Sequence, residues 1–324
     1  MDLNVLIQSV NPSPWKVLIP LYFYFTGLSA GSFILSSLST VFGIKQFKPL
    51  ALPSAVAALV LLILAPIMLI SDLGQPLRFL NVLNPAYFNP TSPISYGSWL
   101  LTFYPIATLI YIWIMVKPGV ALAGKGAVES AAALEGAPSD KDKKLKILGA
   151  ITVPLAVAVH AYTGFVFGVV KAKALWNTAL MPGYFLTSAI LSGIGLLVIV
   201  YLIMSARKKE QPDPALLKSL GNMMLGIIVL DLFWVISQWL VMGMGTEADR
   251  IALNVQLHDP LYLIGEIGLG MILPLLILIQ PRLKVRPAWL AAVSVLVLFG
   301  VFVMRYALVF TGIEASTLGN LFFH

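Results

Sequence analysis

The sequence of 324 residues contains no cysteine and only three histidines. Without cysteine the chain forms no disulfide and holds no iron–sulfur cluster of its own, because such clusters are bound by cysteine thiolates. A b-type haem in a membrane needs two histidines inside the bilayer. Only His160 falls well inside an apolar segment, whereas His258 and His324 do not. We therefore expect no haem, no iron–sulfur cluster and no other metal site in this chain.

Charged residues are also rare, at 11% of the sequence against 59% hydrophobic residues. Soluble domains carry roughly 25% charged residues, so this composition excludes a soluble protein. Apolar segments of about 20 residues recur, which is the length of an α-helix that crosses a ~30 Å hydrocarbon core. The sequence thus predicts an all-α integral membrane protein, a single polytopic domain over residues 1–324 with about eight transmembrane helices. The predicted spans are residues 17–42, 51–71, 97–116, 147–170, 183–204, 219–243, 261–280 and 287–310.

The net charge of +7 could suggest nucleic-acid binding, but the lysines and arginines lie mostly between the spans. Fifteen of them fall in the connections after spans 1, 3, 5 and 7, and five fall on the opposite side. The positive-inside rule places the first group in the cytoplasm. We therefore expect a multi-pass protein of the inner (cytoplasmic) membrane, surrounded by lipid, with both termini periplasmic and no nucleic-acid partner. The periplasmic side is called the predicted outer side below.

Two long connections separate the predicted spans. Residues 117–146 are rich in Gly, Ala and Ser with mixed charge, which indicates a polar cytoplasmic loop between the third and fourth spans. Residues 72–96 lie on the predicted outer side and are rich in Asn, Pro and aromatic residues. A long connection with so few charges is predicted to be ordered and buried against another surface.

Charged residues inside a span are costly and mark candidate functional positions. Asp231 lies near the middle of the sixth span, Glu266 about one turn into the seventh, and Arg305 in the outer third of the eighth. Because successive spans run in opposite directions, polar residues that are distant in sequence reach the same depth. The residues expected near the outer face are Tyr22, Asp72, His160, Tyr162, Glu266 and Arg305. Their convergence predicts a polar pocket at that face.

Each of these positions also has a purely structural interpretation. Glu266 and Arg305 could pair with each other and tie two helices together. Asp72 and Lys171, at the outer ends of the second and fourth spans, could extend to the membrane interface. His160 could be a satisfied core histidine. Tyr162, two positions on, points to nearly the opposite side of the helix. His160 and Tyr162 are therefore not expected to line one small pocket.

Two further patterns favour structure over chemistry. The stretch Gly27-Leu28-Ser29-Ala30-Gly31 has the small-residue spacing that lets helices pack closely. A group of acidic residues and a histidine follows the sixth span and resembles a metal site only weakly. Its members, interpreted as solvated loop charge, are Glu247, Asp249, His258 and Asp259.

With no haem pair, no cysteine and no nucleotide motif, the chain has no evident redox centre. If it takes part in a redox reaction, it must bind a diffusible carrier in the membrane and rely on a partner for the remaining electron transfer. A quinone fits these requirements, since its ring needs an apolar slot, aromatic neighbours, hydrogen bonds at both oxygens and a proton path.

Five segments carry a resemblance to a known family. They are YFYFTGLSAGSF at 22–33, SDLGQPLRFLNVLNP at 71–85, SPISYGSWLLTFYP at 92–105, HAYTGFVFG at 160–168 and PGYFLTSAILSGIGL at 182–196. In order and placement they resemble the NrfD/PsrC family, the quinone-binding membrane subunits of polysulfide reductase and related respiratory complexes. Arg305 in MRYALVFTG looks like the late arginine of that family.

The resemblance implies a fold, a cofactor and partners. The fold would be eight helices in two four-helix bundles, with helices 1–4 over about 17–170 and helices 5–8 over about 183–310. The cofactor would be menaquinone or ubiquinone, bound near the outer face, with no haem. Electrons would pass between the quinone and a ferredoxin-like iron–sulfur subunit, and from there to a catalytic subunit, often of the molybdenum bis-pterin type.

The resemblance also implies roles for individual residues. Tyr162 of the YTG motif looks like the quinone-contacting tyrosine, and Asp72 of the DLG motif looks like part of the site or of its proton route. Some members place a histidine in the first span beside the quinone. This sequence has none there, so Tyr22 or Thr26 would replace it. Further residues carried over from the family motifs are His160, Thr163, Gly164 and Arg78.

Three functional hypotheses follow. In the first, the chain is the quinone-binding anchor of a multi-subunit oxidoreductase, and buried charged residues relay protons. The relay candidates are Asp231, Glu266, Arg305 and Lys171. In the second, it is a secondary transporter or ion-translocating subunit. Such proteins often show inverted repeats, and none is clear between 1–170 and 171–324. In the third, it is a passive anchor without a ligand.

Overall fold

The computed structural model describes residues 16–73, 75–116 and 140–322. Within them, eight helices are long and apolar enough to cross a membrane, and no strand is present, which confirms the predicted fold class. We number these spans α1 to α8. Their bounds are α1 Leu18–Thr40, α2 Lys48–Asp72, α3 Pro93–Val116, α4 Asp140–Gly168, α5 Met181–Lys208, α6 Pro214–Gly243, α7 Leu261–Ile279 and α8 Pro287–Phe322.

Helix ends differ from the predicted ones because hydropathy locates the membrane-embedded part of a helix and not its polar turns. The predicted polar loop 117–146 lies outside the described residues up to position 139, and from Asp140 onwards the chain is already helical. Asp140 and Asp142 stand in the first turn of α4, where the helix dipole favours negative charge. Lys144 pairs with Asp140 at 2.7 Å one turn further on.

A short amphipathic helix, Glu247–His258, connects α6 and α7 where the sequence analysis predicted a charged loop. We call it the surface helix. Thr246 and Asp249 form a capping box in which the Asp249 side chain accepts from the Thr246 amide at 2.8 Å. At the other end, Asp259 accepts from the Thr311 hydroxyl of α8 at 2.8 Å. The acidic residues of this segment therefore cap and anchor a helix.

The connection between α2 and α3 folds into short helical turns, Pro76–Arg78, Phe79–Val82 and Pro85–Tyr87. Asn84 starts the last of these by accepting from the Ala86 amide at 3.0 Å. The connection is thus structured, but it is mostly exposed within this chain, so its burial against another surface stays a prediction. Leu77 is 80% exposed, and Leu80 and Tyr87 are exposed as well. Apolar side chains on a polar connection form a surface that a partner can cover.

The spans form two rings of four neighbours. In the first half, α1 packs on α2, α2 on α3, α3 on α4, and α4 returns to α1. In the second half, α5 packs on α6, α6 on α7, α7 on α8, and α8 returns to α5. The rings meet mainly where α1 and α4 contact α5 and where α1 contacts α8. This is the neighbour pattern of two four-helix bundles side by side.

Small residues hold the first span in the centre. The most apolar stretch of α1 is 72% buried, against 17% for α3. Gly31 of α1 and Gly193 of α5 touch backbone to backbone, since a Cβ on Gly193 would lie 2.6 Å from the Gly31 Cα. On the other side, Ser29 donates to the Ala58 carbonyl of α2 at 2.8 Å. Close backbone approach and interhelical hydrogen bonds are what associate helices in lipid.

The first part of α7, Leu261–Ile272, is a π-helix of 12 residues. Such helices are rare and are frequently found at functional sites. Glu266 stands in the middle of this segment, and Gly270 near its end touches the Gly300 backbone of α8. The apolar pattern of the sequence does not distinguish this geometry from an α-helix.

The absence of cysteine makes the predicted orientation directly testable, because a single introduced cysteine has no background. We expect Leu77→Cys, in the exposed α2–α3 connection, to react with a membrane-impermeant maleimide in intact spheroplasts. Gln211→Cys, in the exposed α5–α6 connection, should react only after permeabilisation. The reverse labelling pattern would show that the membrane orientation inferred from the lysine and arginine bias is inverted.

Candidate functional site

A cavity of about 480 Å³ lies at the predicted outer end of the first bundle, between α1, α2, α3 and α4. We call it the α1–α4 cavity. Its volume is within the range of small-molecule sites, roughly 300–1,000 Å³. Most of its wall is apolar. Its lining residues are Ile19, Tyr22, Phe23, Pro66, Leu69, Ile70, Asp72, Leu73, Phe79, Leu83, Ile94, Ser98, Leu101, Thr102, Tyr162 and Val166.

Two tyrosines from different spans meet in the wall of this cavity. Tyr22 of α1 and Tyr162 of α4 are both buried, and their hydroxyls are hydrogen-bonded to each other. One of the two hydroxyl protons is used in that bond. The other proton remains available for an acceptor in the cavity.

Asp72 ends α2 at the same cavity and has an unmet hydrogen-bonding capacity. Its Oδ1 atom is buried and has no hydrogen-bond partner among the described residues. The neighbouring hydroxyls do not serve it, since Ser98 donates to the Ile94 carbonyl at 2.8 Å and Thr102 donates to the Ser98 carbonyl at 2.9 Å. A buried acceptor without a partner costs about 1–3 kcal/mol. This site is therefore suited to a ligand that brings a donor.

Gly97 of α3 makes room for the Tyr162 ring, a role that the sequence analysis missed. A Cβ at position 97 would overlap three ring carbons of Tyr162. The close contact of glycine with the ring face fixes where the tyrosine can stand. The only sequence signal was a glycine next to an aromatic residue in the quoted segment SPISYGSWLLTFYP.

A second group of polar residues is buried where the two bundles meet. Arg305 of α8 is 1% exposed and donates through Nη2 to Ser188 Oγ at 2.7 Å and to the Phe185 carbonyl at 3.1 Å. Its guanidinium carbon lies 3.7 Å from the centre of the Phe185 ring. His160 of α4 donates through Nε2 to the same carbonyl at 2.7 Å. The histidine nitrogen and Arg305 Nη2 are 3.1 Å apart.

One face of α5 supplies hydroxyl partners to the charged residues of the three other spans in its bundle. Tyr184 donates to Glu266 of α7, and Thr187 donates to Asp231 of α6. Ser188, one residue on, accepts from the arginine of α8. In the described residues no ion pair joins that arginine to Glu266, so the structural pair considered from the sequence is wrong. Equal depth in the membrane does not fix which way a side chain points around its helix.

A small cavity of about 10 Å³ lies between the two acids. It is lined by Ser188, Asp231 and Glu266 together with the close-packed Gly270 and Gly300. Asp231 Oδ2 is buried and has no hydrogen-bond partner in the described residues. A volume of this size is about what one water molecule needs. Apolar side chains form most of its wall, and the two carboxyl groups face this one small common space.

Nearly the whole chain matches one protein family. The family model described as polysulphide reductase, NrfD, matches residues 5–315. The chain belongs to the NrfD family. The resemblance that the sequence segments carried is thereby confirmed.

Relatives of this NrfD-family protein are subunits of reductases and oxidoreductases. A selenate reductase subunit of Mesobacillus selenatarsenatis is 33% identical over 92% of this chain and 73% of its own length. The Hdr-like menaquinol oxidoreductase integral membrane subunit of Archaeoglobus fulgidus is 27% identical over 96% and 73%. A polysulfide reductase chain of Wolinella succinogenes is 25% identical over 94% and 96%.

The NrfD-family fold brings some of the sequence-predicted residues to the α1–α4 cavity and leaves others outside its wall. Tyr22, Asp72 and Tyr162 line it. His160 does not, and it faces α5 and α8 as the helical phase predicts. Thr26 donates instead to the Tyr22 carbonyl of its own helix at 3.0 Å.

Four other predicted residues of this NrfD-family chain also lie outside the wall of the cavity. Thr163 donates to the His160 carbonyl at 2.5 Å. Gly164 packs on the start of α5, where a Cβ would stand 2.8 Å from the Met181 carbonyl oxygen. Lys171, a predicted relay residue, is exposed in the connection after α4, and Arg78 is exposed as well. A charged side chain at the aqueous surface needs no buried partner, so Lys171 is not part of the buried cluster.

The hydrogen bond between Arg305 and Ser188 can be tested against a matched serine one turn further along α5. Ser188→Ala should lower stability by about 1.5–3 kcal/mol, because the buried, charged Nη2 of Arg305 loses one of its two acceptors. Ser192 is equally buried but donates only to the Ala189 carbonyl of its own helix at 3.0 Å, so Ser192→Ala should cost less. Thermal unfolding of the detergent-purified protein, followed by circular dichroism, measures both. Equal shifts in Tm would contradict the assignment.

Proposed function

We propose that this protein is the quinone- or quinol-binding membrane subunit of a multi-subunit respiratory oxidoreductase. The observation that carries the proposal is the α1–α4 cavity, an apolar space of about 480 Å³ in which Asp72 Oδ1 is buried without a partner beside a bonded pair of tyrosines. A relative named menaquinol oxidoreductase subunit supports a quinol ligand and favours menaquinone over ubiquinone.

The residues present suit a quinone head group. Apolar side chains and the Phe23 ring accept a flat, uncharged ring system. The free proton of the Tyr22–Tyr162 pair can be donated to a quinone oxygen. Asp72 Oδ1 can accept from a quinol hydroxyl, which supplies the donor that this atom lacks.

Asp72 is also suited to move a proton. A quinol that is oxidised releases two electrons and two protons, so its site needs a base with access to water. Asp72 ends α2 at the predicted outer side and is only partly buried. A proton taken up by its carboxylate therefore has a short path to the outer aqueous phase.

Electron transfer requires partner subunits, since the sequence contains no cysteine to bind a cluster. We propose that an iron–sulfur subunit docks on the predicted outer side, over the exposed Leu77, Leu80 and Tyr87 of the α2–α3 connection. A catalytic subunit, of the molybdenum bis-pterin type in the proposed complex, would lie beyond it. The relatives named as reductase subunits support such an assembly. The complex would lie in the inner membrane with both termini of this chain periplasmic.

The buried cluster in the second bundle is a proposed proton relay. His160 and Arg305 meet at the Phe185 carbonyl, and Asp231 and Glu266 line one small cavity near them. Buried ionisable groups of this kind are expensive in a membrane and mark proton paths in many membrane proteins. The exposed Lys171 is left out of the proposed relay.

The proposed head-group site is tested by quinol oxidation or quinone reduction in the purified complex. Tyr162→Phe and Asp72→Asn should each lower turnover by about tenfold or more, the scale of ~1.4 kcal/mol for one lost hydrogen bond. Tyr104→Phe is the matched control, because Tyr104 is also a buried bundle tyrosine and does not line the cavity.

Three outcomes would redirect the functional conclusion. If both variants assemble with their partners and turn over quinone like the wild type, the cavity is not the quinone site. If the purified protein carries no partner subunits and no quinone activity, the transporter hypothesis becomes the better one. If partners are present without quinone binding, the passive-anchor hypothesis does.

The proposed relay predicts a separate effect on charge movement. In proteoliposomes, Asp231→Asn and Glu266→Gln should lower the membrane potential generated per quinol oxidised, because neither amide side chain can pass on a proton. Glu314→Gln, on an exposed position of α8, should leave this ratio unchanged. A potential-sensitive dye and a turnover assay on the same vesicles measure the ratio. Wild-type ratios in both variants would remove these acids from any proton path.

A further inference from the structure

A second apolar space adjoins the α1–α4 cavity at Tyr162. It is a groove of about 280 Å³ at the predicted outer ends of α3 and α4, walled by Pro90, Pro93, Tyr96, Phe165 and Val169. We call it the Tyr162 groove. Because the tyrosine ring lines both spaces, a ligand in the cavity and a ligand in the groove would contact the same ring.

The groove is suited to hydrocarbon and not to a polar head group. Tyr96 donates its hydroxyl to the Pro90 carbonyl at 3.0 Å, and Thr91 donates its hydroxyl to Asn89 at 2.7 Å. The Tyr162 hydroxyl is bonded to Tyr22. The hydroxyls in the wall are thus already bonded within the protein, and the remaining contact surface is carbon.

The groove opens towards the lipid-facing side of the first bundle. Phe165, near the end of α4, and Val169, directly after its last residue, are 52% and 55% exposed, and the Val169 amide still donates to the Phe165 carbonyl one turn back. On the opposite wall, α3 is the least buried of the eight spans in the described residues. A hydrocarbon tail lying in this groove would have one side on the protein and the other in the bilayer.

We propose that the Tyr162 groove binds the first part of a polyisoprenoid tail whose head group occupies the α1–α4 cavity. This inference rests on the proposed function and adds to it the position of the quinone tail. The quinone then enters and leaves the bilayer between α3 and α4, and Tyr162 separates head from tail. Gly97 acts as a positioning residue, since its missing side chain lets the ring stand at this boundary.

The test compares two quinols with the same head group, one with a long isoprenoid tail and one with a short tail. The readout is the ratio of the two KM values in the purified complex. Val169→Trp fills the groove and should raise the ratio of the long-tail to the short-tail KM by about tenfold relative to wild type. Phe165→Ala removes a wall of the groove and should raise the same ratio. If one of the two variants fails to fold, the other still tests the proposal.

Ile151→Trp is the matched control. Ile151 of α4 is 56% exposed and lies 18 residues before Val169, which is about five helical turns, so it is on the side of α4 that leads to Val169. A tryptophan there meets lipid at the other end of α4, so its KM ratio should equal that of the wild type.

The outcomes separate the tail site from the head-group site. A KM ratio that is unchanged in both groove variants, or that changes equally in the control, overturns the tail site. An unchanged ratio is also expected if the groove binds only a phospholipid acyl chain. Failure of the head-group site would appear differently, as wild-type turnover in Tyr162→Phe and Asp72→Asn with either quinol.

Discussion

A polar group inside a bilayer has no water to bond to, so each must find its partner within the protein. This constraint is most severe for Arg305, since its whole guanidinium is buried and its Nε and Nη1 atoms have no hydrogen-bond partner in the described residues. Its Nη2 binds Ser188 and the Phe185 carbonyl of α5, and its flat face lies on the Phe185 ring. His160 of α4 reaches the same carbonyl. One buried cation thereby joins α8, α5 and α4, and the arrangement of the two bundles depends on these contacts.

The charges of the second bundle are held by hydroxyls and not by a direct ion pair. Tyr184 and Thr187 of α5 each bind one acid, and the two acids line one small cavity. A tight buried ion pair would fix both charges, because removing either one is strongly destabilising. A hydroxyl partner stabilises a carboxyl group in either protonation state, since it can donate or accept. This arrangement therefore favours proton exchange over static stabilisation.

The sequence predicted the features that follow from the length of the apolar segments, the depth of residues in the membrane and the composition. Eight apolar runs gave the eight spans, and alternating direction brought Tyr22, Asp72 and Tyr162 to one depth, where they line one cavity. Helical phase shows which residues of one helix share a face, but not which side chains of other helices that face contacts. Glu266 was therefore considered as a partner for Arg305, although it binds a tyrosine. The π-helical start of α7 has no apolar signature. Gly97 and Ser188 were missed because small residues in spans are common and their partners lie on other helices.

Helix α4 connects the two parts of the proposed function, which are the quinone site in the α1–α4 cavity and the proton relay. His160 and Tyr162 stand two residues apart, about 3 Å along the axis and roughly 200° around it. One therefore faces the arginine at the bundle interface while the other faces the α1–α4 cavity. A displacement of the tyrosine ring by a ligand acts on the same helical turn that holds the histidine. Proton uptake in the core can thus respond to occupancy of the outer site without a continuous chain of hydrogen bonds between them.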